Sequence, residues 1–247
     1  MNDKQEQIII EFLQQNQYAS IKTLSNTVGV SQSTVRRALS RLEQRGLVKR
    51  KHGGAQICEQ FNHFPSFLFR SQQNSLQKKK MALSAIKLIK NGDIVFLDGT
   101  SSAFFIAEYL QEFENVKVIT NGIDTLSLLA KNNVGVYSTG GVVSATNRSV
   151  LIGSHAQQMI SKFNADVCFF SALAVDENGD IYDCFEEENF IRQAMIEHSS
   201  KRVFLCDHTK FGKKAAYKLC SLNNVDLIIS DQMPNFNLLG ATAVVIE

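Results

Sequence analysis

The stretch SQSTVRRALSRLEQRGLVKRKHGGA, residues 31–55, carries seven basic side chains and a single acidic one. The whole 247-residue chain has a formal net charge of only +2, so the remaining residues are net acidic. A local excess of positive charge in a nearly neutral protein points to a polyanionic partner, provided that the segment folds into a surface that fits one. The spacing of its apolar and turn residues decides whether it does.

Two short helices separated by a tight turn are predicted around the start of this stretch. Ser20 is a candidate N-cap of the first helix, Gly29 permits the positive φ of the turn, and Ser31 is a candidate N-cap of the second. The second helix, which Gly46 ends, has apolar side chains spaced by four and three residues, as one buried stripe requires. The apolar positions of the two helices are Ile21, Leu24 and Val28, then Val35, Leu39 and Leu42.

This spacing is typical of a helix-turn-helix, whose second helix enters the DNA major groove with its exposed first residues. The following segment, LVKRKHGGAQI, predicts a basic β-hairpin, or wing, with Gly53-Gly54 as its two-residue turn. Wing cations suit phosphates, whereas arginine and glutamine on the helix suit base edges. The coincidence of these features favours DNA binding over a merely solvated helix face. The predicted DNA-binding residues are Ser31, Gln32, Ser33, Thr34, Arg36, Arg37, Arg41, Lys49, Arg50, Lys51 and His52.

The composition excludes several other classes of protein. No apolar run reaches the about 18 residues of a membrane span, and the N-terminus MNDKQEQIII is not a secretory signal, so we expect a cytoplasmic protein. The five cysteines form no C-x-x-C pair, which predicts reduced thiols. The five histidines show no metal-ligand spacing, so neither a metal nor another cofactor is expected.

The rest of the chain follows a different pattern, in which apolar β-rich runs alternate with helical runs. Such alternation predicts a Rossmann-like α/β domain built on a mostly parallel sheet. We therefore predict a winged helix-turn-helix at residues 1–57, a linker at 58–76 and a larger α/β domain at 77–247. The six strand candidates are DIVFLD, VKVIT, VGVYS, DVCFFSAL, RVFLCD and VDLIIS.

The segment LDGTSS, which contains Asp98, lies between a predicted strand and a predicted helix. Thr100, Ser101 and Ser102 therefore stand at a helix N-terminus. Free backbone N–H groups, the helix dipole and the hydroxyls favour an anion there, most simply a phosphate. The alternative is an ordinary capped helix.

Polar and glycine residues also follow two other predicted strands. Thr120 and Asn121 come after VKVIT, and Gly140 and Gly141 come after VGVYS. In a parallel sheet the carboxyl ends of the strands form the ligand crevice, so these residues are candidates for it. Simple turn chemistry explains them equally well.

Three charged residues complete the candidate effector site. Glu188, Asp207 and Lys210 are suited to acid/base chemistry at an α-hydroxy carbonyl, or to binding the hydroxyl and phosphate groups of the same kind of molecule. The alternatives are a charged helix start for Glu188, a cap for Asp207 and a solvated loop for Lys210.

The basic segment resembles the DeoR family of bacterial transcriptional regulators, whose signature is V-S-x-x-T-I-R-R-D-L followed by a wing ending in H-G-G. Ala38 departs from it, because the family usually has aspartate there. The matching residues are Val30, Ser31, Thr34, Val35, Arg36, Arg37, Leu39, His52, Gly53 and Gly54.

The resemblance extends in order through KKKMALSAIKLIKNGDIVFLDGTSSAFFIAEYL, VITN, STGG, SVLIGS, EEENFIRQAMI and DHTKFG. It implies an effector domain with a fold like that of ribose-5-phosphate isomerase and a pocket for a phosphorylated sugar. Lys78 matches the lysine that reaches the phosphate, and Glu188 matches the glutamate of the family's E-A-x-x-K segment, with Arg192 in place of its lysine. Thr100 replaces a glycine of the family's D-x-G-T-T pattern.

Two functions compete on this evidence. The first is a transcription factor, a repressor of a carbohydrate operon that a phosphorylated sugar releases from operator DNA. The second is a sugar-phosphate isomerase-like enzyme with an appended basic helical domain. A metabolite reader on a DNA-binding protein needs binding without turnover, so we favour a regulator that is not an enzyme. Since a helix-turn-helix usually reads repeated half-sites, we expect a homo-oligomer, a dimer or a tetramer.

Overall fold

The computed structural model describes residues 3–16, 18–44, 47–57, 65–232, 234 and 242–245. The chain divides into two compact units, Met1–Phe69 and Arg70–Glu247. This division falls inside the predicted linker. The predicted helix end at Gly46 and residues 58–64 of that linker lie outside the described residues.

The first unit combines three helices with a small antiparallel sheet. The strand order in that sheet is β1-β3-β2. The elements in chain order are α1 (Asp3–Asn16), β1 (Tyr18–Ser20), α2 (Ile21–Val28), α3 (Gln32–Gln44), β2 (Val48–Lys51) and β3 (Gly54–Ile57).

Local polar contacts set the bounds of α2 and α3, as the sequence predicted. The Ser20 hydroxyl accepts a hydrogen bond from the Thr23 backbone N–H at 3.0 Å. Gly29 ends α2 in the left-handed region, with φ of 71°. The Ser31 hydroxyl accepts from the Thr34 backbone N–H at 3.3 Å and so satisfies one of the free N–H groups of α3. These contacts fix the helix-turn-helix.

The turn of the wing lies one residue earlier than predicted. Lys51 pairs with Gly54, so the two-residue turn is His52-Gly53, and Gly53 has the positive φ, 75°. Gly54 instead belongs to β3. A Cβ on Gly54 would lie 2.2 Å from the Ala19 carbonyl oxygen, because the unpredicted strand β1 packs along β3.

One apolar core holds the first unit together. It contains the predicted stripe of α3 and also Ala38, which is completely buried. The position at which the family usually has aspartate is therefore a core position in this chain. Phe69, the last residue of the unit, is buried in the same core.

Helix α4 (Phe67–Gln72) leads into the second unit. The remaining elements are α5 (Ser75–Ala85), β4 (Ile94–Leu97), α6 (Ser101–Ala107), β5 (Lys117–Thr120), α7 (Ile123–Lys131), β6 (Gly135–Ser138), β7 (Val142–Val143), β8 (Leu151–Ile152), α8 (Ser154–Ile160), β9 (Ala165–Phe170), β10 (Ala174–Val175), β11 (Asp180–Asp183), α9 (Glu186–Glu197), β12 (Ser199–Leu205), β13 (Tyr217–Ser221), β14 (Leu227–Ser230) and β15 (Thr242–Val245).

The main sheet of the second unit has seven strands, all parallel, in the order β15-β14-β12-β9-β4-β5-β6. Six of them are the predicted strands, so the predicted α/β fold with a mostly parallel sheet is confirmed. Consecutive side chains point to opposite faces and build two cores: Phe96 and Phe204 lie in one, and Leu97 and Leu205 lie in the other. The antiparallel sheet β10-β11-β13 and the pair β7-β8 were not predicted.

The order of the strands locates the ligand crevice. From β4 the chain builds the sheet towards β5 and β6, and it later returns to add β9, β12 and β14 on the other side of β4. In such sheets ligands bind where the direction reverses, at the carboxyl ends of the two central strands, here β4 and β9. No helix in the described ranges is long and apolar enough to cross a membrane.

Candidate functional site

The start of α3 presents a polar face to solvent. Gln32, Ser33, Arg36 and Arg37 are exposed there, while the apolar stripe of the helix faces the core. Thr34 is half-buried and shares a hydrogen bond with the Ser31 hydroxyl at 2.9 Å. The predicted reading residues therefore lie together on one exposed surface, with the geometry that insertion into a major groove needs.

Arg41, further along α3, takes part in the fold of the first unit. Its Nε and terminal nitrogen both donate to Oε1 of Glu6, at 2.9 and 2.6 Å. The Glu6 carboxylate is buried, whereas the Arg41 side chain is about half exposed. This ion pair fastens α1 to α3, and a contact of Arg41 with DNA stays a prediction.

The four predicted wing residues, from Lys49 to His52, are all exposed. Arg50 also contacts α3, because its side chain donates to the Ser40 hydroxyl at 3.0 Å and its backbone N–H donates to Glu43 at 2.9 Å. Lys49 and Lys51 lie on the other face of β2, since successive side chains of a strand alternate. These two lysines have the better position for phosphate contacts.

In the second unit, Asp98 stands at the carboxyl end of β4 and ties three segments together. One carboxylate oxygen accepts from the backbone N–H and hydroxyl of Thr100, at 3.1 and 2.6 Å. The other accepts from the Ser171 backbone N–H, just after β9, and from Arg192 Nε, each at 3.1 Å. Asp98 is completely buried and fixes the loop before α6, and an effector contact for it stays a prediction.

The loop that Asp98 holds places Thr100 as the N-cap of α6, with φ of −82° and its hydroxyl accepting from Ala103 N–H. Replacement of the family's glycine by threonine therefore causes no strain. The next residue, Ser101, accepts a hydrogen bond from Lys78 Nζ at 3.1 Å. Ser102 is buried beside them.

Lys78 is the most unusual charged group of this region. It is 5% exposed, and its ammonium donates to the Ser101 hydroxyl and to the Arg70 backbone carbonyl. Burial and then repulsion from Lys210 lower the pKa of Lys78 to about 7, although Asp207 partly offsets them. The surroundings of Lys78 therefore disfavour its charged form relative to a lysine in water.

Lys210 and Asp207 follow β12 and meet the same region. Lys210 Nζ donates to the Ser171 hydroxyl at 2.7 Å and lies 3.7 Å from an Asp207 carboxylate oxygen. Burial opposes ionisation of Asp207, but Lys210 and the hydrogen bonds from Thr209 hold the pKa of that carboxyl below its usual value. Lys78 and Lys210 thus share one carboxylate, Asp207, and repel each other.

Arg192 joins three buried carboxylates. Its guanidinium lies 3.1 Å from Asp98, 3.1 Å from Asp183 and 3.0 Å from Glu188. Burial disfavours its charge, but the three carboxylates together raise the pKa of Arg192. All three acids therefore have a charged donor inside the protein.

A second arginine contacts the same acidic cluster. Arg70 donates to the Asn147 side-chain oxygen at 3.2 Å, and Asn147 donates to Glu188 at 3.0 Å. Burial raises the pKa of Glu188 despite Arg192. Both oxygens of Glu188 accept from protein donors, Asn147 and Arg192, so this carboxylate is held in place on both sides.

The strand-end residues of β5 and β6 form a separate group of contacts. The Thr120 hydroxyl accepts from the Gly122 N–H at 3.0 Å, and Asn121 donates to the Leu151 carbonyl at 3.1 Å. Gly140 and Gly141 have positive φ and form the turn after β6. A Cβ on Gly141 would lie 2.3 Å from the Ile152 carbonyl oxygen. These residues shape the neighbouring loops, and their contact with an effector stays a prediction.

The structure thus brings Lys78, Asp98, Thr100, Ser101, Glu188, Asp207 and Lys210 into one connected polar cluster. No group of side chains in the described part of the chain has the composition of a metal site. The arrangement suits an anion that also carries hydroxyl groups, because lysines surround one side and carboxylate and amide groups the other.

Several members of these networks were missed by the sequence analysis. Ser171 lies inside the predicted strand run DVCFFSAL, whereas the observed strand β9 already ends at Phe170, so the strand-end argument did not reach it. The others give no sequence signal, because each is an isolated polar residue whose partner is distant along the chain. They are Glu6, Arg70, Asn147 and Asp183.

Comparison with known proteins finds a matching family model for each of the two units. Residues 5–61 match the model of the DeoR-like helix-turn-helix domain, and residues 73–232 match that of the DeoR C terminal sensor domain. The transcriptional regulator GolR of Listeria innocua is 35% identical over 92% of this chain and 89% of its own length. The glycerol-3-phosphate regulon repressor of Haemophilus influenzae is 30% identical over 92% of this chain and 89% of its own length.

Similarity to solved structures is weaker. Ribose 5-phosphate isomerase from Plasmodium falciparum matches 54% of this chain and 52% of its own, with 16% identity and a TM-score of 0.40. A likeness of this extent supports no conclusion about activity.

Replacement of Arg192 by alanine should strongly destabilise the second unit, because three buried carboxylates lose their common cation. Removal of one partner of a buried ion pair typically costs about 3–5 kcal/mol. The matched control is Arg202→Ala, which removes a half-exposed pair with Asp226 and should cost about 1 kcal/mol or less. Urea unfolding followed by circular dichroism gives both values. Equal losses in the two variants would show that the cluster does not stabilise the unit.

Proposed function

We propose, since this chain belongs to the DeoR family of transcriptional regulators, that it represses a carbohydrate-metabolism operon and leaves its operator when a phosphorylated sugar binds. The buried ammonium of Lys78 beside the Ser101 hydroxyl carries the effector part of the proposal. The exposed basic start of α3 and the wing carry the DNA part.

In the DNA-binding unit, α3 contacts the bases and the wing contacts the phosphates. Gln32, Arg36 and Arg37 form the exposed surface that enters the major groove, where their side chains suit adenine and guanine edges. Lys49 and Lys51 on the free face of β2 contact phosphates, which supplies affinity without sequence preference. Two such units in a homo-oligomer of at least two copies would read the two half-sites of an operator.

The effector site is matched to a phosphate by its two lysines. Lys78 and Lys210 repel each other across a site where Asp207 is their shared counter-charge. A phosphate dianion supplies the missing negative charge, and each ammonium gains a charge-assisted hydrogen bond. Because α6 is only seven residues long, we assign the larger part of this affinity to the lysines and the Ser101 hydroxyl rather than to the helix dipole. The Haemophilus influenzae relative is, by its name, the repressor of a regulon for a phosphorylated metabolite, glycerol-3-phosphate.

The contacts of the carboxylates support binding over catalysis. A general base for isomerisation must take a proton from the substrate. Both oxygens of Asp98 and of Glu188 already accept hydrogen bonds from protein donors, and Arg192 contacts both acids. We therefore propose that the protein binds its effector without converting it, as a cytoplasmic regulator. The enzyme alternative predicts conversion of a sugar phosphate by the purified protein.

Alanine variants on the helix and on the wing should have different effects on DNA binding. Arg36→Ala should cost about 1–3 kcal/mol on the preferred duplex and reduce discrimination against others, because a bidentate base contact is lost. Lys49→Ala should weaken binding to all duplexes alike and lower the salt slope by about one. The measurement is fluorescence anisotropy at several salt concentrations, with duplexes selected from a random pool by the wild type. Unchanged affinity and selectivity of Arg36→Ala would contradict the groove assignment.

Only phosphorylated sugars should bind. A hydrogen bond to a charged group contributes about 1.5–3 kcal/mol, so loss of two weakens binding by about two to four orders of magnitude. Calorimetric titration of matched sugar and sugar-monophosphate pairs tests this, with the products analysed for conversion. Lys78→Ala should lose the phosphate preference, whereas Lys80→Ala, an exposed neighbour on α5, should retain it. Equal affinities within a pair would rule out a phosphate site.

Effector affinity should fall as the pH rises above about 7. In the free protein Lys78 loses its proton through that pH, and a phosphate beside it favours the charged form and raises its pKa. Binding at pH 8 therefore takes up a proton, whereas binding well below pH 7 does not require one from this group. Titrations in two buffers of different ionisation enthalpy measure the proton uptake. The uptake should vanish in Lys78→Arg, and its persistence there would assign it to another group.

A further inference from the structure

Arg70 lies at the boundary in the chain between the DNA-binding unit and the effector-binding unit. It is the first residue of the second unit, and Phe69 before it is the last residue of the first. Both belong to the six-residue helix α4. Within its own unit each is firmly held: Phe69 is 3% exposed in the apolar core of the winged helix, and Arg70 belongs to the polar cluster of the effector site.

Arg70 contacts that cluster through both its backbone and its side chain. Its carbonyl oxygen accepts from the Lys78 ammonium, the proposed phosphate-binding group. Its guanidinium donates to Asn147, which in turn donates to Glu188. The negative charges of Glu188 and Asp183 act on the partly buried guanidinium as well. Any change in the partners of Lys78 or Glu188 therefore reaches Arg70 directly.

A bound phosphate changes those partners. An ammonium prefers a phosphate oxygen to a neutral carbonyl, because the hydrogen bond to a charged group is the stronger one. Lys78 would turn from the Arg70 carbonyl towards the phosphate, and the Arg70 backbone would lose this hydrogen bond. Since consecutive Cα atoms are joined at a fixed distance of about 3.8 Å, a displacement of the Arg70 backbone is passed on to Phe69.

We propose that Arg70 couples the effector site to the DNA-binding unit, with α4 as the connecting element. This inference rests on the proposed function. In the free protein the Arg70 carbonyl accepts from Lys78 and the Arg70 side chain donates to Asn147, both within the second unit. Occupation of the site weakens the first of these bonds, and the change reaches the winged helix through the covalent link from Arg70 to Phe69. Coupling of this kind typically alters affinity about 5- to 150-fold.

Two variants separate coupling from binding. Arg70→Ala removes the side-chain anchor of α4, and insertion of two glycines between Phe69 and Arg70 interrupts the connection while it leaves both anchoring residues in place. In each variant the effector should change the operator dissociation constant by less than about twofold, against about 5-fold or more in the wild type. The free variants should still bind the operator, since neither change touches α3 or the wing. Arg148→Ala, which removes an exposed cation next to Asn147, should respond like the wild type.

The experiment measures operator affinity by anisotropy and effector binding by calorimetry on the same full-length proteins. The probes are inorganic phosphate and a panel of hexose and pentose monophosphates. A wild-type response in both the Arg70→Ala variant and the glycine-insertion variant would overturn the coupling role while leaving the proposed function intact. If no panel member binds even the wild type, the proposed function fails, and the coupling inference fails with it. Effector binding without a DNA response in both variants would establish Arg70 and α4 as the coupling element.

Discussion

The second unit depends on the guanidinium of Arg192, which lies within 3.1 Å of Asp98, Asp183 and Glu188. Three carboxylates can be buried together only because this one cation compensates them, and their burial organises the crevice. Asp98, held on one side by Arg192, uses its other oxygen to fix Thr100 and thereby the start of α6. Glu188, held likewise, fixes Asn147 and the loop before β8. The ends of β4 and β9 are therefore rigid before any ligand arrives, as a binding site requires.

The lysines of the same crevice, unlike its carboxylates, have too little opposite charge around them. Lys78 is buried and Lys210 is partly buried, and both interact with the carboxylate of Asp207. Burial and repulsion from Lys210 lower the pKa of Lys78 to about 7. One half of the cluster is thus electrostatically satisfied and structural, and the other half is short of negative charge. This asymmetry supports the proposal that the basic half of the crevice binds an anion.

The sequence was sufficient where local chemistry decides the outcome. Caps, a glycine with positive φ and a 3–4 apolar spacing determine α2 and α3, and six continuous apolar runs determine six strands of the main sheet. The position of LDGTSS between a strand and a helix likewise predicted Thr100 at the start of α6, where it is the N-cap. The sequence was insufficient where a residue contacts a partner that is far away along the chain. Glu6 and Arg41 are 35 residues apart in the chain, and the sequence around Glu6 contains no pattern that predicts this ion pair. The wing turn was misplaced for the same reason, because β1 packs against Gly54 from a distant part of the chain.

Thermodynamic linkage between effector binding and operator binding determines how a two-unit regulator of this kind can act as a switch. An effector releases the operator only if it binds the released conformation more tightly, and the operator then weakens effector binding by the same factor. A site that was fully satisfied without ligand would change little on binding and could bias no equilibrium. Lys78 is buried and bonded to the neutral carbonyl of Arg70 rather than to an anion. Under the proposed function a phosphate would replace that carbonyl as the partner of Lys78, and the bond to Arg70 would be lost. The buried Lys78 thus donates a hydrogen bond to Arg70, the first residue of the second unit.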